Sequence, residues 1–416
     1  MPMDLGNAPS KCQFPVMVLT NRVSRRAESI PPSPTSSMRN RAQDRCSRDQ
    51  PVANLASGEI AHPPPSAALE SAARALSDPA IHRYGPTAGS LTLRKAIVER
   101  SAQSGAAVGL DRVVVTVGAK QALYVAFLAL LDPGDTVLVP VPSWPTYVES
   151  IRLVGGCPVT VPTTARDSFK ASVDQLAELC TPATKAVVLG TPNNPTGSVY
   201  SRDELALLAE WALARDLWLI LDQVYDELDY REPRQYHSLL GAVPEIADRC
   251  VVVDSVAKRW AMPGWRVGWL IGPRDVTAAV ARIQSHTNSH VPNVCQAAAA
   301  AAIGSGSSTV DSIRKLLRTN RSVAVERLRG LGLSCAPPQG AFYVFANVEK
   351  FLRELPPERG GTSSTSLANH LLDEYEVAVV SGDGFGAPGH IRISFGRQAG
   401  ELAQGLDALA TFTAAA

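Results

Sequence analysis

Five short runs of apolar, mostly β-branched residues, separated by stretches long enough for helices, constrain the fold of this chain most strongly. Runs of this length without alternation are typical of strands that are buried on both faces. Strands that alternate with helices in this way favour an open, mostly parallel sheet with helices on both faces. The sequence therefore predicts an α/β fold with strands at 113–117, 136–141, 186–190, 217–222 and 250–255.

The pattern changes after about residue 310, where a long charged helical stretch leads into shorter strands and helices. This order predicts a smaller α+β domain. A second domain is expected in any case, because the chain has 416 residues and single cores stop growing at about 250–300. We predict four segments: a flexible tail at 1–18, with Met17 as an alternative start; an N-terminal segment of the small domain at 19–62; a large cofactor-binding domain at 63–305; and the C-terminal small domain at 306–416.

Composition narrows the class of protein. The chain has 40 basic and 39 acidic residues, so no nucleic-acid surface is expected. The seven cysteines form no CxxC pair, which favours reduced thiols in a cytoplasmic protein. We expect no signal peptide and no membrane span. His286 and His290 have helical spacing but no neighbouring carboxylate, so no metal site is expected, and the absence of GxGxxG after a strand argues against a nicotinamide dehydrogenase.

A lysine follows the last of the predicted strands, in the stretch DSVAKRWAMPGWRVGW (254–269). Two tryptophans and a methionine near Lys258 favour a partly desolvated site, which lowers the pKa of an amine and suits Schiff-base chemistry. Ser255 and Arg266 lie close enough along the chain to hold a phosphate. Taken alone, such a lysine is more often a surface residue.

A second signal is TVGAKQAL (116–123), in which a strand ends and a helix begins. The backbone N–H groups of Gly118, Ala119 and Lys120 would be free at the start of that helix, where the helix dipole favours an anion such as a phosphate. The alternative is an ordinary turn.

Four further residues lie at or near predicted strands. Asp222 ends an apolar strand, where an ionised carboxylate needs a cation; the pyridinium nitrogen of pyridoxal phosphate (PLP) would be one, although a helix N-cap is an equally good explanation. Tyr225 could donate to the phenolate oxygen of the cofactor. Asn194, in the turn TPNNPTG, could bond a ligand oxygen. Arg392, in the strand HIRISF, could clamp a carboxylate or face outward.

The order of these motifs resembles that of the fold-type I, class I/II aminotransferases, with the aspartate and aromatic branches closest. The resemblance rests on YGPTAG, VGAKQAL, SWPTY, NNPTG, LDQVY, the Lys258 stretch, PQGAFYV and the HIRIS strand, and it covers the chain from about Leu19 to the C-terminus. It implies the PLP transferase fold of type I, and a transaminase that moves an amino group between an L-amino acid and a 2-keto acid in a ping-pong cycle.

The resemblance also implies how the cofactor ring is held. Lys258 would carry PLP as a Schiff base and, once released, move the proton between Cα and C4′. Asp222 would keep the pyridine nitrogen protonated. Asn194 and Tyr225 would bond the phenolate oxygen, and Trp144 in PSWPTY would stack on the ring.

The same resemblance implies the phosphate and substrate contacts. Ser255, Arg266 and the backbone of 118–120 would bind the phosphate, and Tyr84 would reach it from the neighbouring subunit of a homodimer. Arg392 would bind the α-carboxylate of the substrate, with Asn194, Trp144 and the backbone near Gly58 assisting.

Two departures from the family pattern leave the reaction type open. Gln223 stands where the pattern has a glutamate next to the aspartate, and Ala257 stands where a serine commonly precedes the lysine. The stretch AKRW with PGWR is closer to tyrosine aminotransferases, which favours a bulky substrate. A PLP-dependent lyase, a cyclase and an amino-acid oxidase are the alternatives. A regulatory ligand-binding module is disfavoured, because residues 1–50 lack a helix-turn-helix pattern.

Overall fold

A computed structural model describes residues 23–231 and 238–415. The tail predicted for residues 1–18, and Met17 with it, lie outside this range. Residues 23–31 belong to a separate N-terminal unit, which contains the short helix α1 (Arg25–Glu28) with Ser24 as its N-cap. The rest of the chain, from Pro32 onward, forms the second unit and contains every other element.

Twelve strands form three sheets within the described residues. They are β1 (Ala53–Asn54), β2 (Val113–Thr116), β3 (Thr136–Val141), β4 (Cys157–Pro162), β5 (Thr184–Gly190), β6 (Trp218–Asp222), β7 (Cys250–Ser255), β8 (Gly268–Ile271), β9 (Tyr343–Asn347), β10 (Val377–Ala378), β11 (Val380–Ser381) and β12 (His390–Ser394).

The largest sheet has seven strands in the order β2-β8-β7-β6-β5-β3-β4. The run from β7 to β4 is parallel, whereas β8 is antiparallel to both of its neighbours. The predicted α/β class is confirmed, and all five predicted strands are present. Two further strands, β4 and β8, escaped prediction: β4 is an edge strand of mixed burial that contains two prolines, and β8 is only four residues long.

Fourteen further α-helices lie in the second unit. They are α2 (Pro34–Cys46), α3 (Ser66–Ala75), α4 (Leu91–Gln103), α5 (Gly118–Leu130), α6 (Thr146–Leu153), α7 (Val173–Leu179), α8 (Arg202–Leu213), α9 (Leu239–Ala242), α10 (Arg274–Ser285), α11 (Asn293–Gly304), α12 (Ser308–Gly330), α13 (Glu349–Glu354), α14 (Ser364–Tyr375) and α15 (Ala399–Ala415).

Alternate side chains along each central strand enter two different cores, as the two-residue period of a strand requires. In β7, Val251 and Val253 pack with α5 and α6 on one face, while Cys250 and Val252 pack with α3, α4, α8 and α11 on the other. The sheet is therefore covered on both faces, and polar residues are left to the strand ends.

The other two sheets contain the strands of the C-terminal part together with β1. Strands β11, β12 and β9 form an antiparallel sheet, and β1 pairs in parallel with β10. The stretch VAVVS (377–381) thus forms two short strands in different sheets. The division into a large and a small domain remains a prediction. No helix of the described residues is both long and apolar enough to cross a membrane.

Candidate active site

A cavity of about 510 Å³ lies at the carboxyl ends of the parallel strands, where ligands of open α/β sheets bind. Most of the residues that the sequence singled out line this cavity. They are Gly58, Ala119, Lys120, Trp144, Asn194, Asp222, Tyr225, Ser255, Lys258, Arg266 and Arg392. The structure therefore brings together groups from strands, turns and helix termini that are far apart in sequence. Gly58 and Arg392, for example, are separated by 334 residues.

Lys258 is half-buried in this cavity, and its Nζ donates a hydrogen bond to the carbonyl oxygen of Gly58 at 2.7 Å. Burial and, to a smaller extent, the positive charge of Arg392 lower the pKa of this amine to about 8, while Glu59 and Asp222 oppose the shift. At pH 7 about one-tenth of such an amine is neutral, far more than of an ordinary lysine, and the neutral form is the one that attacks a carbonyl carbon.

Asp222 ends β6 and is 3% exposed. Its Oδ2 accepts a hydrogen bond from the hydroxyl of Tyr147 at 2.9 Å, and its Oδ1 accepts one from the amide of Val224 at 3.2 Å. Burial raises the pKa of this carboxyl to about 6, against the effect of these hydrogen bonds and of Lys258. No lysine or arginine of the described residues forms an ion pair with it, so the site favours a cationic group in the cavity.

Tyr225 and Tyr343 form a buried pair of phenols whose hydroxyl oxygens lie 3.0 Å apart. Burial raises the pKa of both groups, so both are protonated at neutral pH and can donate hydrogen bonds. The guanidinium of Arg392 lies 4.2 Å from the centre of the Tyr343 ring. Tyr343 therefore connects the tyrosine predicted to bond the cofactor with the arginine predicted to bind substrate.

Arg392 lies within β12 and points into the cavity, with 1% of its surface exposed; the outward orientation is wrong. Its Nη1 donates to Oδ1 of Asn194 at 2.9 Å, and its Nη2 donates to the carbonyl oxygen of Ala56 at 2.8 Å. Its buried Nε has no hydrogen-bond partner among the described residues. A guanidinium held from two sides, with a donor to spare, is suited to bind a carboxylate.

One corner of the cavity contains the start of α5. Gly118 has a φ of +74°, and a Cβ atom there would lie 2.7 Å from Nη2 of Arg266. Arg266 is itself in the left-handed region and donates to the carbonyl oxygen of Pro263 at 3.0 Å. Ser255 is 1% exposed at the end of β7. The first-turn amides of α5, a guanidinium and a hydroxyl together form a corner suited to a phosphate.

Sequence reasoning missed several residues that line the cavity: Ser33, Thr35, Ser36, Arg39, Glu59, Tyr147 and Tyr343. Tyr147 and Tyr343 lie inside motifs that were recognised, SWPTY and GAFYV, so their position in those motifs was the available signal. The residues of α2 carried no signal, because a polar helix so far from the other motifs reads as surface.

Two predicted site residues do not line the cavity. Gly118 lies directly behind it, against Arg266. Tyr84 is 92% exposed and lines a separate depression, where its ring stands edge-on to His290 at 6.1 Å. Its predicted reach into a neighbouring subunit remains a prediction.

Comparison with known proteins shows the family to which the chain belongs. The chain matches the family of class I and II aminotransferases over residues 50–409. It is 40% identical to an aspartate aminotransferase of Streptomyces avermitilis, over 92% of this chain and 95% of the relative. It is 34% identical to the aspartate/prephenate aminotransferase of Thermus thermophilus, over 93% and 98% of the two chains.

Solved structures show the same likeness. The structure of the aspartate aminotransferase from Thermus thermophilus with maleate matches with a TM-score of 0.87 at 33% identity, over 94% of this chain and 99% of that one. The aspartate aminotransferase from Rhizobium meliloti matches with a TM-score of 0.89 at 31% identity, over 95% and 99%. Fold and site together define a PLP-dependent transferase. The chain belongs to the class I and II aminotransferases and is a PLP-dependent transaminase.

The cavity fits this cofactor on its own chemistry. A buried carboxylate without a cationic partner suits a pyridinium, a lysine of lowered pKa suits an aldehyde, and the corner at Gly118 and Arg266 suits a phosphate. The three groups line one cavity, as the three reactive parts of PLP require.

Proposed function

We propose that this transaminase takes aspartate as its amino donor and returns the amino group to a 2-keto acid, and that its two half-reactions alternate at the cavity described above. The observation that carries the proposal is the surplus of positive charge in that cavity. Besides Lys258 and the phosphate-binding Arg266, three cations line it: Arg39, Lys120 and Arg392. An amino acid with a second carboxylate would match them.

Arg392 is the natural partner of the α-carboxylate, because its guanidinium is buried and oriented by Asn194. A planar fork of this kind binds both oxygens of a carboxylate. Binding there would place the α-amino group of the substrate in the cavity that also contains Lys258.

Lys120 and Arg39 are the candidates for the side-chain carboxylate. Burial lowers the pKa of Lys120, and the charges of Arg266 and Arg39 lower it further. The three cations are therefore close enough to repel one another. Neither Lys120 nor Arg39 forms an ion pair with an acidic residue in the part of the chain that the structure describes. The solved relative with maleate, a dicarboxylate, supports the same substrate class.

Several residues of this chain share the chemistry of the transamination step. When bound, PLP supplies an electron sink that makes the Cα–H bond of the amino acid acidic. Asp222 would pair with the protonated ring nitrogen and so maintain that sink. Nζ of Lys258 would take the proton from Cα and return it at C4′. Tyr225 and Asn194 would bond the phenolate oxygen, and Trp144 would cover the ring.

Of the two departures from the family pattern, Gln223 does not line the cavity, whereas Ala257 does. The tryptophan of AKRW, Trp260, is 1% exposed in the core on the other face of the sheet, so it does not shape a bulky substrate site. The positions of Gln223 and Trp260 outside the cavity give no support to a lyase, a cyclase, an oxidase or an aromatic substrate.

We further propose a homodimer. Its support is the nearly full exposure of Tyr84 beside other exposed apolar side chains, Leu76 and Leu91, which a second copy of the chain would cover. The cytoplasmic location predicted from the sequence remains a prediction.

The experiment is an absorption titration of the PLP-loaded protein with aspartate, glutamate, alanine and tyrosine, with Lys258→Ala as control. Conversion of the pyridoxal to the pyridoxamine form at the lowest concentrations of aspartate is expected. The variants Lys120→Met and Arg39→Met should raise the concentration needed for aspartate by about 10-fold or more and leave alanine unchanged. Release of ammonia would contradict the proposal. The proposal would also be contradicted if both variants and the wild type showed the same preference for tyrosine.

A further inference from the structure

Arg259, the residue directly after Lys258, is fully buried on the far side of the strand ends from the cavity. Lys258 and Arg259 lie in the turn that follows β7. Lys258 enters the cavity, while Arg259 enters a cluster of charged groups that does not line it. This cluster, formed by Arg100, Asp226, Glu227, Asp254 and Arg259, is called the rear cluster below.

The guanidinium of Arg259 binds the immediate chain neighbours of three groups that face the cavity. Its Nη2 donates to the carbonyl oxygen of Gln223 at 3.2 Å, which follows Asp222. The same nitrogen lies 2.6 Å from Oδ1 of Asp226, which follows Tyr225, and 2.5 Å from Oδ1 of Asp254, which precedes Ser255.

We propose that Arg259 is a positioning residue for transamination: one guanidinium holds together the chain beside Asp222, Tyr225, Ser255 and Lys258, and so sets their mutual placement. Each of these four residues is adjacent in sequence either to Arg259 itself or to a residue that its guanidinium contacts. This inference rests on the site assigned under the proposed function, but not on the identity of the amino donor.

The rest of the rear cluster keeps Arg259 in place. Glu227 lies 3.6 Å from its Nη1, and Arg100 binds Glu227 in turn. The ring of Trp260 has the guanidinium carbons of both arginines at 5.2 Å from its centre. Three of the contacts of Arg259 are made by Nη2 and one by Nη1. A lysine at 259 would keep the charge but lack the second nitrogen and the planar fork.

The Coulomb energies of such a buried group are large, but its contribution to net stability is small, since desolvation offsets the attraction. Net stability therefore does not explain why three carboxylates and two guanidiniums are buried at this place. The positioning of the reacting groups is a better explanation, because displacing such a group by about 1 Å can cost about 100-fold in rate.

The test compares Arg259→Lys with Arg112→Lys in the PLP-loaded enzyme. Arg112 serves as the matched control, because it also binds backbone carbonyl groups, those of Gly272 at 3.2 Å and Ala247, at the same sheet but away from the cavity. Thermal midpoint, PLP dissociation constant, kcat and KM are measured for both variants.

For Arg259→Lys we expect kcat to fall by about 10- to 100-fold and PLP to dissociate more readily, with KM for the amino donor within about 2-fold of wild type. For Arg112→Lys we expect a lower thermal midpoint and unchanged kcat. If Arg259→Lys loses stability as Arg112→Lys does while kcat and PLP affinity stay at wild-type values, the inference is overturned.

A second variant, Asp226→Asn, removes one partner of the guanidinium and retains the arginine. It should lower kcat by about 3-fold or more at constant KM, and it decides the matter if Arg259→Lys does not fold; a wild-type kcat would then refute the inference. Failure of the proposed function would give a different set of results. The wild type itself would then show no conversion by aspartate. Lys258→Ala would retain PLP as firmly as the wild type does.

Discussion

The buried carboxylate of Asp222 should make the cofactor-free protein less stable than a neutral variant, although the enzyme needs that carboxylate. Asp222→Asn removes the charge at nearly constant shape. An asparagine still offers one oxygen to Tyr147 or Val224, the two donors that bind Asp222. The substitution therefore tests the cost of the charge rather than of a cavity.

The magnitude follows from the pKa of Asp222, which rises from 3.8 to about 6. Each pKa unit corresponds to about 1.4 kcal/mol. Because the folded chain holds the proton more tightly than the unfolded chain, stability falls as the pH rises from about 4 to about 6 and stays lower above that. The ionised carboxylate then costs about 1.5 kcal/mol at pH 5 and about 3 kcal/mol at pH 8.

Urea unfolding of the cofactor-free protein at pH 5 and pH 8 measures this cost. Asp222→Asn should be more stable than wild type at both pH values, with the larger gain at pH 8. Asp132→Asn, at an exposed aspartate, should change neither value. With PLP the order should reverse, and transamination by Asp222→Asn should fall by about 100-fold or more. A gain of equal size at both pH values, or none at pH 8, would refute the reasoning.

Three other outcomes are expected. The rate at which the cofactor-free protein takes up PLP should rise with pH and level off above about 8, the pKa of Lys258, as measured by the absorption of bound cofactor; a flat profile would contradict this. Gly118→Ala, whose Cβ would lie 2.7 Å from Arg266 at a positive φ, should weaken PLP binding by about 10-fold or more in equilibrium dialysis, whereas Gly134→Ala, also at a positive φ but in open space, should not. Arg392→Lys keeps the charge and loses the fork, so kcat/KM for every amino donor should fall by about 10-fold or more; a normal value for any good donor would contradict the assigned role.

Much of the fold could be predicted, because its signal is local. The central strands are continuous apolar runs that need no knowledge of their neighbours, and β3 and β7 end at the predicted residues. The direction and order of strands are not local. Nothing in GWLI (268–271) shows that this strand runs antiparallel between β2 and β7, because that depends on hydrogen bonds with residues far along the chain.

The site divides along the same line. Lys258, Asp222 and Arg392 could be predicted, because a charged residue beside or within an apolar strand is conspicuous in one dimension. The bond from Tyr147 to Asp222 spans 75 positions, and that between Tyr225 and Tyr343 spans 118. Tyr147 and Tyr343 stand among other aromatic residues and give no such contrast, so their contacts with Asp222 and Tyr225 emerge only once the strands are placed side by side.

The alternation of a strand gives each strand end two functions. At β6, Asp222 faces the cavity while Gln223 presents its carbonyl to Arg259; at β7, Ser255 faces the cavity while Asp254 binds the same guanidinium. The groups on both faces of the strand ends are buried. Burial raises the pKa of Asp254 to about 7, and Arg259 opposes that shift while Asp226 adds to it. Substitutions behind the sheet should therefore alter the rate without contacting substrate, because they move the residues that do.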